Sequence, residues 1–419
     1  PKYLPLPRGT LTYMNLTHSN NWRARSSADA LQYLIPHLSS FGITRIANIT
    51  GLDFSGVPVY TAFRPRASTL AVSCGKGLTH EDSIVSSVME SIEADVAERI
   101  DSASFINTTY DQIDLKSRVP LSTLPLLSNH IFSQSTPYSW LPCQVLGTSS
   151  VKLLPAATIS LAYSMLVDPL MTFVWGTNGL ASGLTQSDAI LSALYEYIER
   201  DALLSWKHLL ATNLVKEAMV DLSTIPFTST QALVSLILDG SFRLYLFDRS
   251  SDLGLPVYRA VIHSPGDTTI PTSEGYGCHH LDEVAINRAI TEAVQSRTVI
   301  IAGSRDDISF RQLRSLSSRS LPSDFADLLS LENFIPSGNA FHDPLSAIDD
   351  IQKRLAEKGL FDVYLYSFPI PGDTVSVVRV FIPGLQHYSH RHAVPTLRFA
   401  PFKPRLHGLR EALFQIRTA

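Results

Sequence analysis

The chain is poor in charge. Asp, Glu, Lys and Arg make up 17% of its 419 residues, and the formal net charge is −4. No basic excess is available to attract nucleic acid or an anionic membrane surface, so neither is expected as a partner. Cysteine is also scarce. Cys74, Cys143 and Cys278 are far apart and odd in number. They form no CxxC pair, which argues against a disulfide framework or a zinc site and for packed thiols in a reducing compartment. No run reaches the roughly 18 to 20 apolar residues of a membrane span. The opening stretch, PKYLPLPRGTLTYMNLTHSNNWRAR, has no apolar segment of signal-peptide length. A soluble cytoplasmic protein is expected. Two common nucleotide signatures are missing as well. There is no GxxxxGK(S/T) and no GxGxxG after a strand, so neither a Walker-type loop nor a Rossmann site is expected.

What the chain does have is an internal repeat, the feature that most constrains architecture. GLTHEDSIVSSVMESIEAD (77–95) aligns without gaps with GLTQSDAILSALYEYIERD (183–201), with ten identities over 19 residues. Shared positions include Gly77/Gly183, Asp82/Asp188, Ser86/Ser192, Glu90/Glu196 and Glu93/Glu199. A more divergent third copy, GCHHLDEVAINRAITEAVQSR (277–297), places Glu292 at the first acid, Gln295 at the second and Arg288 at the serine. The first and third copies follow β-rich runs. ITRIANITGLD and GVPVYTAFRP precede one, and FRLYLFDRS and GLPVYRAVIHS precede the other. β-branched and aromatic residues bounded by Gly, Asp and Pro read as paired strands. The expected unit is a β-hairpin, a glycine-containing loop and a helix, which makes the chain α+β.

Helical spacing sets the geometry of the repeated acids. Positions i, i+4 and i+7 share a face. Ser86, Glu90 and Glu93 therefore line up, as do Ser192, Glu196 and Glu199. A solvated helix face explains one such pair. Recurrence in a second copy, where surrounding residues differ, favours a cluster of hard oxygen ligands. Magnesium takes carboxylates together with substrate phosphates. Arg200, Arg288 and Arg297 are then candidates for phosphate oxygens. The glycine stretches GKG (75–77) and TNGLASG (177–183) are expected to be loops presenting backbone N–H groups to an anion near the helix starts.

TRIANITGLDFSGVPVYTAFRP, GKG, SSVMESIE, TNGLASG, ALYEYIERDAL, ITEAVQSR, GSRDD and FIPGL, in this order, resemble the YcaO family over about residues 40–385. The resemblance implies a fold of that family's own type around an ATP site, with ATP and Mg2+ as cofactors. It implies phosphorylation of a peptide backbone amide oxygen, followed by attack of a nucleophile on the carbon. An adjacent Cys, Ser or Thr gives an azoline; external sulfide gives a thioamide, often with a TfuA-like partner. Carried over by motif, the metal ligands are Glu90, Glu93, Glu196 and Glu199. The ATP contacts are Lys76, Ser86, Thr177, Asn178, Arg200, Glu292, Gln295 and Arg297. No catalytic residue beyond these is assigned.

The division implied is an N-terminal extension and helix over 1–40, a catalytic domain over 41–385 and a C-terminal tail over 386–419. The tail GLREALFQIRTA lacks the Pro-x-Pro ending of many azoline-forming members, which raises the thioamide reading. A separate leader-binding or TfuA-like protein is expected to capture the peptide, and a homodimer is left open. A non-catalytic nucleotide-binding subunit and an enzyme acting on a ribosomal protein are the competing readings. HYSHRH (387–392) is taken as a polar loop in preference to a metal site. Arg305 with Asp306 and Asp307 is taken as a local ion pair, and His279 and His280 as a loop that is either on the surface or beside the nucleotide.

Overall fold

The structure, a computed structural model, describes residues 23–127, 132–168, 171–211, 215–240, 242–264, 272–304, 329–341, 343–370, 372 and 374–386. Among the described residues no helix is long and apolar enough to cross a membrane. The HYSHRH and Arg305–Asp307 stretches, and the tail from residue 387 onward, lie outside them.

Each β-rich run forms strands. After helix α1 (Ser27–Leu34), strands β1 (Arg45–Asn48), β2 (Val59–Phe63) and β3 (Val72–Lys76) form an antiparallel sheet in that order, followed by α2 (His80–Glu98). A larger sheet has the order β4-β5-β13-β14-β7, with β6 beside β5. Its strands are β4 (Ile106–Thr109), β5 (Pro137–Val145), β6 (Val151–Pro155), β7 (Leu180–Gly183), β13 (Tyr364–Ser367) and β14 (Ser376–Phe381). The short helix α3 (Ala156–Ile159) follows β6, and α4 (Gln186–Ala211) follows β7. Beyond a strand β8 (Ala218–Asp221) and helix α5 (Thr228–Asp239), strands β9 (Arg243–Asp248), β10 (Val257–His263) and β11 (Ser273–Cys278) repeat the antiparallel three-strand pattern and lead into α6 (Asp282–Ala302). Strand β12 (Ser330–Asn333) pairs in parallel with β8, and α7 (Pro344–Glu357) packs on α4.

The glycine stretches expected as loops are largely strands. Gly75 lies within β3, Gly183 ends β7, and Gly275 and Gly277 lie within β11. A Cβ at Gly75 would stand 2.0 Å from the Ser83 carbonyl oxygen, and one at Gly275 2.1 Å from the Ala293 nitrogen. At Gly183 the Ala189 nitrogen would be 2.5 Å away. These glycines let each helix lie backbone-to-backbone against the strand that precedes it, which is a role of glycine in strands. They are not an anion cradle.

The three helices also cross between units. α2 packs on β7, α4 on β11 and α6 on β3, which closes a cycle. Ile84, Val88 and Ile92 of α2 and Ala193, Leu194 and Ile198 of α4 belong to one apolar cluster with the large sheet. Ile286, Ala289, Ile290 and Ala293 of α6 pack with Leu244, Leu246 and Ala260 in a second. With their apolar stripes committed outward to these clusters, the helices are left with polar faces inside the cycle.

Candidate functional site

The start of α2 is fixed locally. The Thr79 hydroxyl accepts from the Asp82 N–H at 3.1 Å, and Asp82 accepts from the Thr79 N–H at 3.2 Å, a reciprocal cap. Asp82 thus closes the cap, while Thr79 is the capping residue. In α4, the Asp188 N–H donates to the Thr185 hydroxyl at 3.2 Å. From these starts the acids fall inside the cycle, and their contacts cross unit boundaries. Glu93 of α2 accepts from the backbone N–H and the hydroxyl of Ser182 in β7, at 2.9 and 2.7 Å. Lys76 of β3 meets Glu292 of α6 at 2.5 Å. The Gln295 amide of α6 donates to the Cys74 carbonyl of β3 at 2.7 Å. Glu90 is more exposed, and its carboxylate accepts from the Cys74 N–H at 3.3 Å.

The carboxyls feel one another. Burial pushes Glu93 up to about 8; Ser182 opposes the shift, and Glu90 and Glu196 add to it. Glu93 as a residue is only half-buried, but its carboxyl end lies in the protein against Ser182. Burial pushes Glu199 up to about 7, with Arg200 opposing and Glu292 adding. Burial also raises Glu196, against Arg200 and Arg379. Glu292 goes the other way: burial pushes it up, but Lys76, Arg200 and Arg288 together outweigh burial and hold it below the usual carboxylate range. Acids brought this close repel one another, and a nearby cation lowers that repulsion.

Some buried polar atoms have no partner. Both amide atoms of Asn178, the Nε of Arg288 and the Nη1 of Arg379 are buried without a hydrogen-bond partner. Arg379, on β14, donates through its other terminal nitrogen to the Gly176 carbonyl at 2.8 Å, just before Asn178. Buried groups are normally satisfied, and orphans call for an explanation. The Arg288 and Arg379 guanidinium groups lie near the acids and offer donors suited to phosphate oxygens. Among the described residues no three His, Cys, Asp or Glu side chains converge tightly enough to enclose a metal alone.

The remaining predicted residues separate. Ser86 and Ser192 lie half-buried on the acid faces, and Thr177 is exposed in the turn before β7. Arg200 neighbours Glu199 at 3.9 Å. Arg297 is buried, bonds both Asp53 oxygens at 3.0 and 3.2 Å and stacks over Phe242. His279 and His280 are buried, not a surface loop. His280 bonds the Tyr195 hydroxyl at 2.6 Å and Asp350 of α7 at 3.0 Å, tying α4 to α7. All three cysteines are free and buried, as expected of packed thiols. Sequence reasoning missed Ser182 and Arg379. The signal for Arg379 was a lone arginine among the valines of VSVVRVFIPG.

Comparison with known proteins gives the chain's family and fold relatives. A family model described as YcaO cyclodehydratase, ATP- and Mg2+-binding, matches residues 74–386. A Rhizobium leguminosarum bv. trifolii protein named for its position in the tfuA 3′ region is 32% identical over 380 residues, covering 87% of this chain and 88% of its own. The structure of YcaO from Methanopyrus kandleri bound with AMPPCP and Mg2+ superposes with a TM-score of 0.68 at 20% identity, over 88% of this chain and 93% of that one. A heterocyclase in complex with substrate and cofactor gives 0.73 at 21% identity over 87% of this chain. This chain spans only 53% of that heterocyclase.

Proposed function

The chain belongs to the YcaO family, and we propose that it uses ATP and Mg2+ to activate a backbone amide of a ribosomally made peptide. The observation that carries this reading is the meeting of Glu93, Glu196, Glu199 and Glu292 with Arg200, Arg288 and Lys76 in one chamber. In the proposed reaction the γ-phosphoryl group moves to the amide oxygen and ADP is released. A nucleophile then adds to the amide carbon, the C–O bond breaks and phosphate departs. Bound Mg2+ neutralises charge on the phosphate oxygens.

The chain's own residues provide position and charge. One or two of the Glu90, Glu93, Glu196 and Glu199 carboxylates would hold the metal together with phosphate oxygens. Lys76, Arg200 and Arg288 orient phosphate oxygens, and the Asn178 amide takes a polar group of the nucleotide. Phosphoryl transfer is driven mainly by such placement and electrostatics. Of the two products, we favour the thioamide, with a TfuA-like partner. The Rhizobium relative is named for a position beside tfuA, and the family resemblance associates such partners with sulfide as the nucleophile.

Mass spectrometry of a co-expressed peptide tests the reading. A gain of about 16 Da per site indicates a thioamide and a loss of about 18 Da an azoline, because the two differ in which nucleophile attacks. Glu90→Gln should abolish ATP turnover while leaving the fold intact. An unmodified peptide together with unimpaired ATP use by Glu90→Gln would sink the proposal.

A further inference from the structure

We propose that a second cavity, on the same face of α4 as the acids, receives an apolar side chain of the substrate peptide about three residues from the activated amide. This rests on the functional reading above. The cavity holds about 150 Å³ and is lined by Trp206, Met219, Tyr258, Phe334, Ile335 and Pro336, among others. That volume and lining suit one aliphatic or aromatic side chain, and a nucleotide would not fit.

Two features place it beside the chamber. Glu199 and Trp206 are seven residues apart on one continuous helix. Seven residues turn the helix by almost two full turns and advance it by about 10 Å, so the two side chains share a face. An extended peptide rises about 3.3 Å per residue, so roughly three residues bridge that span. The second feature runs across the sheet. Tyr258 pairs with Gly277 of β11, and β11 packs directly against α4.

The walls are preformed. The Trp206 indole donates to the Ser250 carbonyl at 3.3 Å, and the Arg249 guanidinium stacks 4.8–4.9 Å from the Phe247 and Trp206 rings. Arg249 is itself neutralised by Glu217. Asp248 and Glu332 also line the cavity, the latter exposed. The aromatic and aliphatic walls favour a leucine or phenylalanine there.

The probe is N-acetyl-leucinamide, with N-acetyl-glycinamide as the control, followed by intrinsic fluorescence. The leucine probe should change the emission in the millimolar range, and the glycine probe should not. The change should vanish in Trp206→Phe, one of four tryptophans in the chain. It should weaken at least about tenfold in Ile335→Tyr, because the new ring fills space a leucine needs. Ile335 is 52% exposed, so the fold tolerates this replacement. With a modified peptide in hand, Ile335→Tyr should raise KM for peptides bearing Leu at the third position and leave KM for ATP unchanged. An equal response to both probes, or none that depends on Trp206, overturns the proposal. Failure of the wild-type protein to consume ATP would instead overturn the functional reading, and the fluorescence result would still decide this one.

Discussion

Glu93 and Glu199 hold protons near neutral pH as long as no cation lies among the acids. A metal needs the deprotonated carboxylates, so binding it must release protons. Mg-ATP binding should therefore strengthen as pH rises toward about 8 and release protons to buffer below that value. Calorimetry in buffers of different ionisation enthalpy measures this release, and Glu93→Gln should reduce it. His280 has the opposite sign. Burial lowers it to about 4 from an ordinary 6.5, against the pull of Asp350. The unfolded chain therefore binds the extra proton more readily. The contribution of a neutral His280 is complete above pH 6.5 and is lost as pH falls through about 4. Urea midpoints across this window should fall with pH in the wild type and fall less steeply in His280→Asn.

At the scale of the element, the strand–helix pairs depend on glycine. Gly275→Ala would drive a methyl group into the α6 backbone, 2.1 Å from the Ala293 nitrogen. Overpacking against backbone costs about 3 kcal/mol or more. Chemical denaturation should show that loss, or the variant should fail to accumulate in folded form. Removing the reciprocal cap with Thr79→Ala should cost about 1 kcal/mol.

The helices and their acid faces were legible because helical period and a repeated spacing survive in a single sequence. The role of the glycines was not. Gly75 and Gly183 look like loop residues until the helix lying on them is seen, since close approach is a tertiary fact. The Arg297–Asp53 pairing was not legible for a related reason. Arg297 follows the same motif as Glu292 and Gln295, but five residues beyond Glu292 the helix has turned it toward Asp53. Ser182 and Arg379 come from β7 and β14, neighbours in space far apart in sequence, and no local pattern joins them to the acids.

At the scale of the whole molecule, the site exists only because three helices each lean on the strand of another unit. Lys76–Glu292, Gln295–Cys74 and Ser182–Glu93 connect the units in pairs. A ligand that bridges the chamber should therefore stabilise the entire fold. At a hundredfold excess over its Kd, binding to the folded state alone adds about 2.7 kcal/mol. Mg2+ and ATP together should raise Tm by more than the sum of their separate effects, because each completes the site for the other. The most direct measurement is calorimetric binding of a non-hydrolysable ATP analogue with and without Mg2+. Wild type, Glu196→Gln and Arg288→Ala should be compared. Three helices sharing one Mg-nucleotide predict binding that depends on Mg2+ and weakens at least about tenfold in each variant, since charged hydrogen bonds are lost. Undiminished affinity in both variants, or affinity indifferent to Mg2+, would contradict it.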